Sequence, residues 1–158
     1  LFILSKKDMN KNKIKNIIDV EKIRGLQSQE TYERYKKNVL NITRDFTYEI
    51  QSARENGYTI IGYGAAAKGM TFLNFTNEKL DYIIDDNPLK QNLYTPGTNI
   101  EIKSIELLEQ YDIDGKILFV PLAWNFYDEI KTRILKVRDN ENDRFLKYFP
   151  ELKEEKWE

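Results

Sequence analysis

The stretch Ile60-Ile61-Gly62-Tyr63-Gly64-Ala65-Ala66-Ala67-Lys68-Gly69 decides the fold. It extends an uncharged run, Tyr58-Thr59, that reads as a central strand, and it leads into a helix with Ala66, Met70 and Leu73 on one side. A strand that turns into a helix through closely spaced glycines is the opening of a dinucleotide-type fold. Gly62 is expected to make the tight turn. Gly64 would let a ligand approach the backbone, and Ala67 takes the place of the third small residue. Free amides at the helix start would point at an anion, favoured there by the helix dipole. Lys68 in the first turn would add a point charge. Gly69 costs a helix about 1 kcal/mol relative to alanine, so it implies close packing or a close ligand.

Working outward, the pattern alternates. Upstream, Tyr32, Tyr35, Val39, Ile42, Phe46, Ile50 and Ala53 share one face of a helix predicted over 29–56, stopped by Gly57. Ile14, Ile17, Ile18 and Leu26 form a shorter helical stripe ending near Gly25, after a lysine-rich linker from Ser5 to Lys15. Leu1 to Leu4 read as a strand. Downstream, strands are predicted at 80–84, 100–102, 116–120 and 145–149. Helices are predicted at 64–75, from Ser104 to Tyr111, and at 125–137, and the acidic tail is expected to fray. Strands alternating with helices imply a parallel sheet with right-handed crossovers. The fold class is therefore α/β: a Rossmann-like, open, mostly parallel sheet flanked by helices and preceded by an N-terminal helical segment.

Composition narrows the chemistry. The 158 residues contain no cysteine and no histidine. That excludes disulfides, thiolate metal sites, thiol nucleophiles and any imidazole base within this chain. Lysine plus arginine number 25 and aspartate plus glutamate 26, so no global basic field recruits nucleic acid. No apolar run is long enough to span a membrane. The expected compartment is the cytoplasm, and the sequons at Asn41 and Asn74 are read as chance.

Three further segments fall where open α/β sheets bind ligands, at the carboxyl ends of strands. Asp85 stands about 20 residues beyond Gly64, where an acid bonds ribose hydroxyls in dinucleotide folds. Adjacent carboxylates on a strand point to opposite faces, so Asp85-Asp86-Asn87-Pro88 is poorly suited to a shared metal. The segment from Leu89 to Thr98 is long for a structureless loop and so is a functional candidate. Pro96-Gly97 predicts a type II turn, and Lys90 and Tyr94 would reach a phosphate and stack on a base. Trp124-Asn125 follows the strand at 116–120, with Asn125 expected to cap the next helix. The glycine turn is not a phosphate-binding lysine loop, because Lys68 is not followed by Ser or Thr. Nor does it resemble a methyl-donor site, which usually carries an acid two residues before the first glycine, where this chain has Ile60.

Taken together, Gly62-Tyr63-Gly64-Ala65-Ala66-Ala67-Lys68-Gly69, Asp85-Asp86-Asn87-Pro88-Leu89-Lys90-Gln91, Tyr94-Thr95-Pro96-Gly97-Thr98 and Leu122-Ala123-Trp124-Asn125-Phe126 resemble the C-terminal domain of S-adenosylmethionine-dependent sugar C-methyltransferases. The resemblance covers residues 25–150. It implies a substrate-anchoring domain for a nucleotide-linked deoxysugar, inactive alone. S-adenosylmethionine, the catalytic residues and a zinc domain would belong to an upstream part of the protein. Residues 1–24 would be the linker and trailing strand of the upstream methyl-donor domain, and 25–158 the anchoring domain. The implied substrate-binding residues are Gly62, Tyr63, Gly64, Ala65, Ala66, Lys68, Gly69, Asp85, Asn87, Lys90, Tyr94, Pro96, Gly97, Trp124 and Asn125, with no catalytic or metal residue among them. Ala66 departs from the serine expected in many relatives, which removes a hydroxyl contact from the turn. Two other readings stay open from the residues alone. One is a stand-alone NAD-binding module, with Asp85 on the adenine ribose. The other is an interaction domain whose long helix packs on a partner.

Overall fold

The computed structural model describes residues 11–110 and 115–156, with side chains from residue 14. The strand expected at 1–4 lies outside the described residues. The chain divides into two compact units, residues 1–41 and 42–158.

The first unit contains α1 (Lys11–Ile23) and the beginning of α2 (Gln29–Glu55). Helix α1 begins inside the stretch read as a polar linker. Gly25, at φ +71°, turns the chain, and the Tyr32 hydroxyl donates to the Leu26 carbonyl at 2.7 Å. Of the expected apolar stripe, Ile14, Ile17 and Ile18 lie on α1 and Leu26 beyond its end, and all four are exposed.

The second unit is a six-stranded sheet. Its strands are β1 (Tyr58–Tyr63), β2 (Tyr82–Ile84), β3 (Ile102–Lys103), β4 (Lys116–Pro121), β5 (Arg144–Lys147) and β6 (Lys153–Lys156). Their spatial order is β3-β2-β1-β4-β5-β6, parallel throughout except that β6 runs antiparallel to β5. The fold is thus Rossmann-like α/β, as read from the sequence.

Period-two alternation sorts the strand residues between two cores. Ile60, Leu118, Val120 and Leu146 face one way, against Phe46 and Ile50 of α2 and Met70 and Leu73 of α3 (Ala67–Thr76). Ile61, Tyr63, Ile117, Phe119 and Phe145 face the other. There they meet Leu107 and Leu108 of a 3-10 helix (Ile105–Gln110) and Tyr127, Ile130 and Ile134 of α4 (Tyr127–Leu135). Each fully buried Ile, Leu or Phe contributes about 1.5–3 kcal/mol, which is why β1 and β4 carry almost no polar residue.

Five local expectations are corrected. The helix after β1 starts at Ala67, not Gly64, because Gly64 adopts φ +92° and Ala66 is extended at φ −98°, ψ 149°. Gly62 makes no turn: it lies inside β1, where a Cβ would come within 2.8 Å of Leu122 and 2.9 Å of Leu80. The tail expected to fray forms a strand as far as the described residues reach. Lys153–Lys156 pairs with β5, and Arg144 meets Glu154 at 2.8 Å. Asn125 does not cap α4. It sits within a 3-10 turn (Trp124–Phe126), and Phe126 occupies the cap position without a side-chain bond. The segment after Ser104 is 3-10 rather than α-helical.

Candidate functional site

Strand β1 sends its connection to β2 on one side, and β4 leads to β5 on the other. The crevice at their carboxyl ends is therefore the topological switch point of the sheet, where open α/β folds hold ligands. A cleft of about 290 Å³ opens there, lined by Tyr63, Gly64, Asp85, Asp86, Ala123, Phe126, Glu129, Ile130 and Arg133.

The turn above β1 is held by internal bonds. The Gly64 amide donates to the Ile84 carbonyl at 2.7 Å, the Ala66 amide to the Gly64 carbonyl at 2.8 Å, and the Ala65 amide to Asp85 Oδ2 at 2.7 Å. These three amides are thus engaged within the protein, which narrows the expected anion cradle to the first turn of α3. That helix begins with no side-chain cap. Gly69 is explained by packing, since a Cβ there would sit 2.6 Å from Leu122 Cβ.

Asp85, only 7% exposed, is the anchor of this turn. Besides Ala65 it accepts from the Asn87 amide at 2.9 Å and from Lys90 Nζ at 3.0 Å, while Lys90 also reaches the Ala65 carbonyl at 3.0 Å. Gln91 Nε2 closes the corner on the Asp85 carbonyl at 3.0 Å. Asp85 and Lys90 therefore stabilise the loop that they were expected to equip for ligand.

Asp86 points into the cleft. The Tyr63 hydroxyl donates to Asp86 Oδ1 at 2.8 Å, and Arg133 of α4 pairs with Asp86 Oδ2. Burial, then the hydrogen bond and the charge of Asp86, push the Tyr63 phenol well above the ordinary tyrosine range. It stays protonated and donates. This pair spans 47 residues of sequence and is half open, at 55% exposure for the Arg133 side chain and 48% for Asp86.

The remaining sequence candidates lie outside this cleft. Lys68 Nζ stands 4.8 Å from the Trp124 ring centre, and Trp124 packs on Phe149 at 4.3 Å. Asn125 is exposed on its turn. Asn87 turns its own side chain back to the Leu89 amide at 3.0 Å. Gly97 has φ +84°, as the third residue of a type II turn requires. The Pro96 carbonyl accepts from Asn74 Nδ2 at 3.0 Å, and Tyr94 is exposed beside its bridge partner Glu101. Of the expected residues, then, Tyr63, Gly64 and Asp85 line the cleft. Phe126, Glu129, Ile130 and Arg133 were missed. The signal available was only their phase at and after the start of α4, where Phe126, Ile130 and Arg133 recur at spacings of four and three.

The fold and its switch-point cleft define a Rossmann-like α/β domain. Among the described residues no helix is long and apolar enough to cross a membrane. The chain belongs to the family described as the C-methyltransferase C-terminal domain, which it matches over residues 3–150. It is also similar to the C-methyltransferase NovU of Streptomyces niveus, at 26% identity over 134 residues, which cover 83% of this chain and 31% of that protein. The chain thus spans about a third of the length of this curated relative.

Proposed function

We propose that this domain anchors a nucleotide-linked deoxysugar for S-adenosylmethionine-dependent C-methylation carried out by a longer protein. The observation that carries this reading is the open switch-point cleft of a chain that belongs to a C-methyltransferase domain family. The diphosphate would lie toward the first turn of α3 and Lys68, and Trp124 would offer its ring beside them. Binding energy from these remote contacts would orient the sugar carbon for reaction, which is where such energy accelerates chemistry.

The glycine turn does not fit the methyl donor. Ile60 stands where a donor-binding acid is usual and is fully buried in the sheet, its amide bound by Asp81 at 2.7 Å. S-adenosylmethionine and the groups that move protons would accordingly be held outside these residues, in an upstream part of the enzyme, and the isolated domain would transfer no methyl group. The alternative NAD module has less support, because Asp85 is buried and already accepts three hydrogen bonds from the protein.

Calorimetric titration with thymidine diphosphate, uridine diphosphate and NAD tests the reading. Binding of a pyrimidine nucleoside diphosphate, weakened by Gly64→Val and with NAD inert, is expected. NAD binding that is lost in Asp85→Ala would overturn it.

A further inference from the structure

The cleft wall combines three features: a carboxylate (Asp86) and a guanidinium (Arg133) joined to each other, a phenol (Tyr63) fixing the carboxylate, and an exposed aromatic ring (Phe126, 54% exposed) beside the apolar Ile130 and Ala123. Charge decides what such a wall accepts. The lining carboxylates are Asp85, Asp86 and Glu129. Asp85 is neutralised by Lys90 at 3.0 Å, and the one cation of the lining, Arg133, is already paired with Asp86. A diphosphate entering here would meet Asp86 and Glu129 with no uncommitted cation to offset their repulsion.

A neutral ring bearing vicinal hydroxyls meets the opposite situation. Each carboxylate oxygen has two lone-pair sites, and Tyr63 and Arg133 do not fill them. Arg133 has five N–H donors, more than Asp86 engages. One hydroxyl can donate to Asp86 while its neighbour accepts from Arg133, both bonds charge-assisted and so stronger than neutral ones. The apolar C–H face of the ring would lie against Phe126.

We propose that Asp86 and Arg133, steadied by Tyr63, are specificity-determining residues that recognise the vicinal hydroxyls of a sugar ring and turn phosphate away from this side of the glycine turn. The proposal rests on the nucleotide-sugar reading and assigns the two ends of that ligand: ring in the switch-point cleft, diphosphate on the α3 side. Tyr63 acts through Asp86 and is a positioning residue.

The test is calorimetry of the 158-residue chain with thymidine diphosphate-glucose, thymidine diphosphate, uridine diphosphate and inorganic pyrophosphate. The variants are Asp86→Asn and Arg133→Gln, both half-exposed positions whose unchanged thermal midpoints verify folding. Each substitution is expected to weaken thymidine diphosphate-glucose about tenfold, with pyrophosphate not weakened by either. A loss confined to the glucose-bearing probe assigns the ring to the hexose. An equal loss with thymidine diphosphate, whose deoxyribose carries no vicinal hydroxyls, overturns the proposal. Weaker binding of pyrophosphate in Arg133→Gln, or affinities that neither variant changes, overturns the proposal and leaves the nucleotide-sugar reading standing. Failure of the wild-type chain to bind any nucleoside diphosphate removes both.

Discussion

Two arginine–aspartate pairs sit at opposite ends of the same sheet, and they differ most in access to water. At the amino ends of β4 and β5, Arg138 Nε meets Asp143 Oδ2 at 2.6 Å with side chains 6% and 0% exposed. Asp143 also accepts from the Ile117 amide at 2.9 Å, and Arg138 reaches the Gly115 carbonyl. Burial pushes the Asp143 carboxyl upward, against the pull of Arg138 and the Ile117 amide. At the carboxyl ends, Arg133 and Asp86 also pair, but half in solvent. The sealed pair ties the entry of β4 to the loop before β5. The open pair ties little and faces a cleft. The same pair of side chains is therefore structural where it is closed off and available to a ligand where it is not.

Breaking the sealed pair should have the largest effect. Asp143→Ala leaves a buried guanidinium without its anion and should cost about 3–5 kcal/mol, read as a shifted midpoint in urea unfolding. A loss below about 1 kcal/mol would mean that water relieves the site and that the contrast drawn here is wrong. Asp85 is intermediate, buried but with its partner Lys90 half exposed. Asp85→Ala strands the Ala65 and Asn87 amides and should cost about 1–3 kcal/mol. Hydrogen exchange should rise at Ala65 and Asn87 first, and unchanged protection there would contradict the anchoring role. Asp86→Asn should be nearly silent for folding, within about 0.5 kcal/mol, while weakening ligand. A large loss of stability would make the open pair structural like its counterpart.

The same contrast explains what the sequence could and could not reveal. Strands β1 and β4 were legible because burial on both faces requires uncharged runs, and the glycine turn because φ +92° at Gly64 favours glycine. The late start of α3 was not legible, because alanines at 65–67 carry no stop signal; the Asp85 bond to the Ala65 amide sets it. Strand β6 has the sequence Lys153-Glu154-Glu155-Lys156, with no apolar residue to announce it. It is held by β5 and by Glu155 contacts to Tyr127 at 3.2 Å and Lys131 at 3.3 Å. Asp86 was visible but read only as a poor metal ligand. Its partner Arg133 looked like any solvated helix residue, since only the fold brings α4 and the end of β2 together across 47 residues.

Nitrogen-15 shift mapping tests the central claim most directly, with thymidine diphosphate-glucose titrated into the labelled chain. Perturbations should cluster at the carboxyl ends, over Tyr63 to Lys68, Asp86 and Ala123 to Arg133, with Gly115, Arg138 and Asp143 silent. Shifts centred on the Arg138–Asp143 end, or none anywhere at saturating ligand, would contradict the account.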